Sequence, residues 1–255
     1  MGINQIMQVF TTITEFRAWR KSISQKTTLG FVPTMGALHE GHISLVQKSK
    51  SQAQVTVASI FVNPLQFGPK EDLTKYPKAY EKDRALLEGA NTDILFFPDV
   101  SEMYKNSSST YVTEDKLSLP LCGSFRPGHF RGVTTVVLKL LNIIQPDFLY
   151  LGKKDFQQVL ILDKMLHDLN IPSQVIRCET IREKDGLAMS SRNQYLSPNE
   201  RAKASLVYQS LISVKKAFIN GETDTQKLIQ LGRLVLEKHR EFKIQYYEIR
   251  HTQTL

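Results

Sequence analysis

The sequence predicts an α/β fold: a doubly wound parallel sheet followed by a smaller C-terminal α+β domain. Three observations lead there. Short apolar runs rich in β-branched and aromatic residues alternate with helix-like stretches through the first two thirds of the chain. Strands alternating with such helices argue for a parallel sheet covered on both faces. From about Ser197 the alternation gives way to helices. The right-handed crossover rule then favours a Rossmann-like arrangement.

In chain order, strands are predicted over 29–33, 55–62, 94–97, 148–151 and 174–178, each short and often bounded by Pro, Asn or Gly. Helices are predicted over 41–52, 76–88, 132–144 and 155–168. In the last, Phe156, Val159, Leu160, Leu162, Met165, Leu166 and Leu169 recur at three- and four-residue steps, which makes an amphipathic stripe. The Ser-rich segment 99–123 breaks the rhythm with a surface loop at Asn106-Ser107-Ser108-Ser109 and a hairpin through 110–119. Ser197-Pro198-Asn199-Glu200 reads as a helix start, with Ser197 as N-cap and Glu200 closing a capping box. Helices over 198–218 and 223–239 follow, broken at Asn220-Gly221, and an alternating strand over 243–250 ends the series. The domain division falls at 1–180 and 181–255.

Composition narrows the function classes. Of 255 residues, 41% are hydrophobic and 23% charged, as in an ordinary globular protein. The longest apolar runs stop well short of the roughly 18 to 20 residues a membrane span needs. The N-terminus lacks a cationic stretch leading into an apolar core, so a cytoplasmic location is expected. Cys122 and Cys178 stand far apart, which fits reduced thiols. The net charge of +8 favours anionic ligands in general. Its basic residues are dispersed and match no nucleic-acid motif, so no nucleic-acid partner is expected.

Two motifs carry chemistry. In Pro33-Thr34-Met35-Gly36-Ala37-Leu38-His39-Glu40-Gly41-His42, a strand ends, a Gly-containing turn follows, and two histidines at i and i+3 enter one face of a helix. A helix start presents unpaired N–H groups that favour phosphate, and imidazoles can stabilise phosphoryl charge. The spacing is one residue short of the His-Glu-x-x-His metalloprotease pattern. In the second motif, Met189-Ser190-Ser191-Arg192, two hydroxyls and a guanidinium fork can grip outer phosphates.

Together, His39-Glu40-Gly41-His42 and Met189-Ser190-Ser191-Arg192 resemble the paired signatures of the HIGH/KMSKS nucleotidyltransferase superfamily. Residues 33–42, Phe61-Val62-Asn63-Pro64-Leu65-Gln66-Phe67, Arg126-Pro127-Gly128-His129-Phe130-Arg131-Gly132-Val133, Gly152-Lys153-Lys154-Asp155-Phe156-Gln157-Gln158 and 189–193 are together similar to one family within it, the pantoate-beta-alanine ligases (pantothenate synthetases). The resemblance implies condensation of (R)-pantoate with beta-alanine through a pantoyl adenylate, with ATP as co-substrate and Mg2+.

Carried over residue by residue, the resemblance makes His42 the proton donor, with His39 and Lys154 assisting at the phosphates. Met35, Gly36, His39, His42, Gly152, Lys154, Asp155, Ile181, Met189, Ser190, Ser191 and Arg192 would bind ATP, and Asp155 would also meet Mg2+. Gln66 and Gln158 would hold pantoate and beta-alanine, whereas Gln157 points away. The segment 126–131 has only a supporting role, and Lys153 stands where many members carry Glu. The N-terminal domain would bind nucleotide and pantoate, the C-terminal one would act as a lid, and a homodimer is expected. The chain ends soon after the expected last strand, shorter than many members. An adenylyltransferase of the same superfamily, and a basic nucleic-acid-binding module, are the competing readings. The first would leave Gln66 and Gln158 without a purpose. The second would bind nucleic acid in a salt-sensitive way.

Overall fold

A computed structural model describes residues 6–255. The chain forms two compact units, Met1–Glu179 and Thr180–Leu255.

Among the described residues, the first unit holds a sheet of six strands: β1 (Gln8–Phe10), β2 (Leu29–Thr34), β3 (Val55–Ile60), β4 (Ile94–Phe96), β5 (Phe148–Gly152) and β6 (Gln174–Cys178). Their spatial order is β1-β4-β3-β2-β5-β6, and every neighbouring pair is parallel. From β2 the chain builds outward through β3 and β4, then crosses to the other side of β2 to lay down β5 and β6. The strand order therefore reverses between β2 and β5, and in open α/β sheets the crevice at that reversal is where ligands bind.

Helices α1 (Ile13–Ser22), α2 (Glu40–Lys50), α3 (Tyr80–Gly89), the one-turn α4 (Val100–Met103) and α5 (Cys122–Phe125), and the long α6 (His129–Ile144) and α7 (Phe156–Asp168) complete this unit. Side-chain alternation along the strands separates two cores. Phe31, Val57, Phe96, Leu149 and Leu151 face one cluster with Phe16 of α1, Val133, Val137 and Leu141 of α6, and Val159 and Leu162 of α7. Val32, Ala58, Leu95 and Tyr150 face the other, with Leu45 and Val46 of α2 and Leu87 of α3. Burial on both faces explains why the central strands read as near-continuous apolar runs.

Polar groups at the strand starts and in the interior find partners. Asp147 accepts the Leu29 N–H at 2.7 Å and Asp93 accepts the Thr56 N–H at 2.7 Å, so carboxylates close the starts of β2 and β3. Ser49 and Thr56, both fully buried, share a hydrogen bond of 2.8 Å.

Several elements differ from the sequence-based expectation. β1 escapes it, because a three-residue strand carries too little periodicity to register, and the ten-residue α1 escapes it as well. Helix α3 starts at Tyr80 instead of 76, because Pro77 disfavours helical backbone at Tyr76. Helix α6 starts earlier than expected, at His129, behind Gly128 in a left-handed conformation (φ 81°). No hairpin forms over 110–119. There the Val112 N–H and C=O are taken by the Thr135 and Thr134 hydroxyls of α6, and Ser118 N–H by Glu114, which withdraws these groups from any ladder.

The second unit carries α8 (Pro198–Ala204), α9 (Leu206–Ile219) and α10 (Thr225–Glu237). The capping box is present, with Ser197 N–H donating to Glu200 at 2.8 Å. In place of a single helix over 198–218, the chain breaks at Ser205. The strand expected over 243–250 is absent. Its backbone meets no partner edge, and Tyr247 is held instead by packing its ring on Gly232 of α10, with its hydroxyl 3.4 Å from Ser210. Among the described residues this unit is thus helical with one isolated bridge, Arg182 to Ala188, and the expected α+β character is corrected.

Gly30 on β2 leaves no room for a side chain: a Cβ there would lie 2.1 Å from Ser49 Oγ and 2.9 Å from the Tyr150 ring. Gly30→Ala is expected to destabilise the first unit by about 1–3 kcal/mol through overpacking, read as a lower urea midpoint at unchanged m-value.

Candidate active site

Three strand ends at the order reversal supply the candidate residues of the first unit. The turn after β2 is held by one carboxylate. Gly36 has φ 84° and Ala37 has φ 52°, so two successive residues sit in the left-handed region. For alanine that conformation costs about 1–2 kcal/mol. Asp83 of α3, only 1% exposed, offsets it by accepting the Ala37 and Leu38 N–H groups, each at 2.7 Å. Thr34 closes the same turn by accepting the Gly36 N–H at 3.2 Å while donating to Ser59 O at 2.7 Å. Gly36 is required here, since a Cβ would reach Asp83 Oδ2 at 3.0 Å in a conformation that side chains rarely adopt.

The turn delivers the two histidines to the start of α2, where they cap the helix. His39 is the N-cap, and its Nδ1 accepts the Gly41 N–H at 3.1 Å. His42 Nδ1 accepts the His39 N–H at 3.3 Å. An N-cap side chain and a residue three positions later bonding reciprocally to backbone donors is the capping-box arrangement, built here from imidazoles. A nitrogen that accepts a backbone N–H carries no proton. Both neutral rings are therefore the tautomer with hydrogen on Nε2. The rings lie 4.1 Å apart, centroid to centroid. Burial first, then the repulsion that a proton on His42 would meet from a protonated His39 and from Lys154, drives the His42 pKa down from its ordinary 6.5 to about 3. His42 is a neutral hydrogen-bond donor at physiological pH.

The turn after β3 forms a short 3-10 helix, Pro64–Gln66, capped by Asn63, whose Oδ1 accepts the Leu65 N–H at 3.3 Å. Asn63, 1% exposed, also takes the Tyr104 hydroxyl at 2.9 Å and donates to Gly132 O and to Gln66 Oε1, both at 3.1 Å. Gln66 Nε2 reaches Met35 Sδ at 3.0 Å, which joins this turn to the one after β2.

The third end follows β5. Gly152 closes the strand and Lys153–Asp155 makes a 3-10 turn into α7. Lys154 pairs with Asp155 at 3.0 Å, with both side chains substantially exposed, and Lys154 lies near enough to His42 to depress its basicity. Lys153 pairs with Glu179. The two glutamines of α7 have different surroundings. Gln157 is buried and clamps the 117–122 segment through Leu117 O and Pro120 O at 2.8 Å and Cys122 N at 3.1 Å. Gln158 lies on the neighbouring face, half-buried, with no side-chain hydrogen bond among the described residues.

The remaining candidates lie together in the second unit. Met189 N–H donates to Ile181 O at 3.0 Å across a loop that turns at Gly186 (φ 93°), and Arg182 stacks 3.8 Å above the Tyr208 ring. Ser190 caps a 3-10 helix over Ser191–Tyr195 by accepting the Arg192 N–H at 3.3 Å. Asn193 ties the same turn to Ala188 O at 3.0 Å.

Sequence reading missed Asp83, Asn63 and Tyr104. A lone acid inside a charged helix, Glu81-Lys82-Asp83-Arg84, gives no sign that its carboxylate faces inward. Asn63 had a signal, since Asn before Pro is a common turn cap. The capping spacing of His39 and His42 was also legible, but it registered only as a shared helix face.

Among the described residues, no three His, Cys, Asp or Glu side chains gather as for a metal ion, and no helix is long and apolar enough to cross a membrane.

Comparison with known proteins shows the family and the fold. The family model described as pantoate-beta-alanine ligase matches residues 8–255. A pantothenate synthetase of Thermotoga neapolitana is 50% identical over 250 residues, covering 98% of this chain and 89% of that protein. Pantothenate synthetase 1 of Bradyrhizobium diazoefficiens is 46% identical over 95% of this chain and 86% of its own. The crystal structure of pantothenate synthetase from Thermus thermophilus superposes with a TM-score of 0.93 at 44% identity, over 98% of this chain and 89% of that one. A pantoate-beta-alanine ligase from Francisella tularensis, complexed with beta-gamma ATP and beta-alanine, gives a TM-score of 0.79 at 36% identity, over 90% and 86% of the two chains.

The capping arrangement makes a spectroscopic prediction. Nitrogen-15 NMR of the free protein should show His42 as the neutral Nε2–H tautomer throughout about pH 5 to 8, where an ordinary histidine titrates. A midpoint near 6.5 for that ring would show that its Nδ1 is not held by the backbone. The sign for stability follows. The unfolded chain takes up a proton on this ring below its ordinary pKa and the folded chain does not, so this contribution is complete above about pH 6.5 and declines as the pH falls toward 3.

Proposed function

The chain belongs to the pantoate-beta-alanine ligase family, and we infer on that premise that it is an ATP-dependent ligase joining (R)-pantoate to beta-alanine. A carboxylate is a poor acyl donor, so the acid must first be activated. A pantoate carboxylate oxygen attacks the α-phosphorus of ATP, and the bond to the bridging oxygen breaks to release pyrophosphate. The beta-alanine amine then attacks the acyl carbon of the pantoyl adenylate. The acyl–oxygen bond breaks, AMP departs, and the amine loses its proton as the amide forms.

The observation that supports a phosphoryl-transfer role for this site is the imidazole capping box beside Lys154. Two Nε2–H donors and an ammonium occupy the reversal point of the sheet, where negative charge would develop on the phosphates. We assign His42 to the departing pyrophosphate as a neutral donor, with His39 and Lys154 beside it. A bound polyphosphate would raise the His42 pKa, so a proton donor in the full sense could arise in the complex. The free ring is not one.

Met35, Gly36, Gly152 and Asp155 are assigned to the nucleotide with them, as are Ile181, Met189, Ser190, Ser191 and Arg192 of the second unit. Gln66 and Gln158 are assigned to pantoate, and Gln66 also to beta-alanine. The partly exposed Asp155 suits Mg2+ carried in on the triphosphate, since magnesium takes most of its ligands from phosphate and water and needs one or two carboxylates. The reading places a nucleotide- and pantoate-binding domain at 1–180 and a second nucleotide-contacting domain at 181–255, in a cytoplasmic homodimer with no nucleic-acid partner.

The experiment that tests the reaction is AMP release from ATP with pantoate present, with and without beta-alanine. Pantoate-dependent pyrophosphate formation together with beta-alanine-dependent AMP release supports the ligase. AMP transfer to a phosphorylated acceptor, indifferent to beta-alanine, would identify an adenylyltransferase. Two variants test the assignments. His42→Ala should lower pantoate-dependent ATP–pyrophosphate exchange at least about 100-fold. Gln158→Ala should raise the KM for pantoate severalfold and leave that for ATP within about twofold, as loss of a contact made to one substrate does.

A further inference from the structure

The segment 126–132 has no part in the chemistry above, yet the structure lays it directly against the turn that carries Gln66. His129, 9% exposed, has Nδ1 at 2.8 Å from Gln66 O and Nε2 at 3.1 Å from Arg126 Nη1. A carbonyl can only accept and a guanidinium can only donate, so Nδ1 carries the proton, Nε2 carries none, and the ring is neutral. Arg126 adds Nη2 to the same carbonyl at 3.4 Å. Its remaining edge grips Glu71 through a bidentate ion pair, with Nε to Oε1 at 3.0 Å. Gly132 completes the docking. A Cβ there would lie 2.3 Å from Leu65 O and 2.6 Å from Gln66 N, so only glycine lets α6 come this close.

We propose that Arg126 and His129 are positioning residues for Gln66: by fixing its main-chain carbonyl they aim its side-chain amide at the acid substrates, and Glu71 keeps Arg126 in place. The proposal rests on the assignment of Gln66 to pantoate and beta-alanine. The peptide group after Gln66 has two donors pulling on one oxygen, and that orientation sets where its Cα–Cβ bond points. Among the described residues, the amide itself bonds only to Asn63 and Met35, one of them a weak sulfur acceptor, so its direction depends on the backbone behind it. Glu71 is held ionised by the hydrogen bond from Arg126, which keeps the pair intact at neutral pH.

The test compares His129→Asn with His129→Gln, beside Arg126→Lys and Gln66→Ala. Asparagine places an N–H where Nδ1 stood and keeps the bond to Gln66 O. Glutamine is nearer histidine in size but reproduces only the Nε2 end. Positioning therefore predicts that His129→Asn raises the KM for pantoate by no more than about threefold. His129→Gln and Arg126→Lys should raise it about tenfold or more, with the KM for ATP unmoved. Adding His129→Gln to Gln66→Ala should cost nothing further in pantoate KM, because the group being aimed is gone.

Asparagine proving worse than glutamine, or ATP and pantoate affected alike, would overturn the proposal by showing that His129 only fills space. A large effect of Gln66→Ala with none from His129→Gln and Arg126→Lys would overturn it too, and would leave the assignment of Gln66 standing. If Gln66→Ala leaves pantoate and beta-alanine untouched, that assignment fails and the positioning role fails with it.

Discussion

A single buried carboxylate underlies the site in the first unit. Asp83 lies inside the protein, and two main-chain N–H groups of the turn after β2 meet its two oxygens. Burial of an ionised group is costly unless hydrogen bonds replace its water. Each side therefore needs the other: the turn holds two residues in a left-handed conformation, and the carboxylate needs donors that only this conformation points toward it. Because α2 begins where the turn ends, the placement of both imidazoles follows from that exchange. The same helix start then uses the imidazoles as its own caps. From Asp83 to His42, side chains thus accept the consecutive backbone N–H groups of Ala37, Leu38 and His39.

Much of the sheet was legible in the sequence because its central strands are buried on both faces. Runs such as Leu29–Thr34 and Val55–Ile60 are largely apolar and rich in β-branched residues, and their predicted ends fall within two residues of the observed ones. Elements whose stability comes from distant partners were not legible. The segment 110–119 has strand-like composition, but the Val112 backbone at its centre is held by threonines of α6 more than twenty residues away. The alternation over 243–250 signals a strand only if an edge exists to receive it, and alternation carries no information about the receiver.

The site shows the same division. Residues assigned to a ligand have a chemical type suited to it, so histidines, a lysine and glutamines in short motifs could be picked out and matched to a family. Residues that aim them could not. Asp83 and Glu71 look like surface acids, and His129 looks like one more family residue, until their partners are known. Gln157 and Gln158 were separable in the sequence only because one helical step turns a side chain by about 100°. The buried clamp on Leu117, Pro120 and Cys122 could not have been inferred for the first of them.

The imidazole caps tie two properties that most helices keep apart. Where a serine or aspartate caps a helix, the first turn can fray and re-form without consequence for chemistry elsewhere. Here the atoms that hold the first turn of α2 are the same ones that dictate which nitrogen bears hydrogen. Unwinding that turn by even one bond frees Nδ1 to take a proton, and the reactive edge changes its electronic character along with its location. Local melting and the tautomer of these imidazoles are one coordinate in this protein, so the rigidity of a helix end bears directly on which ring atom can donate.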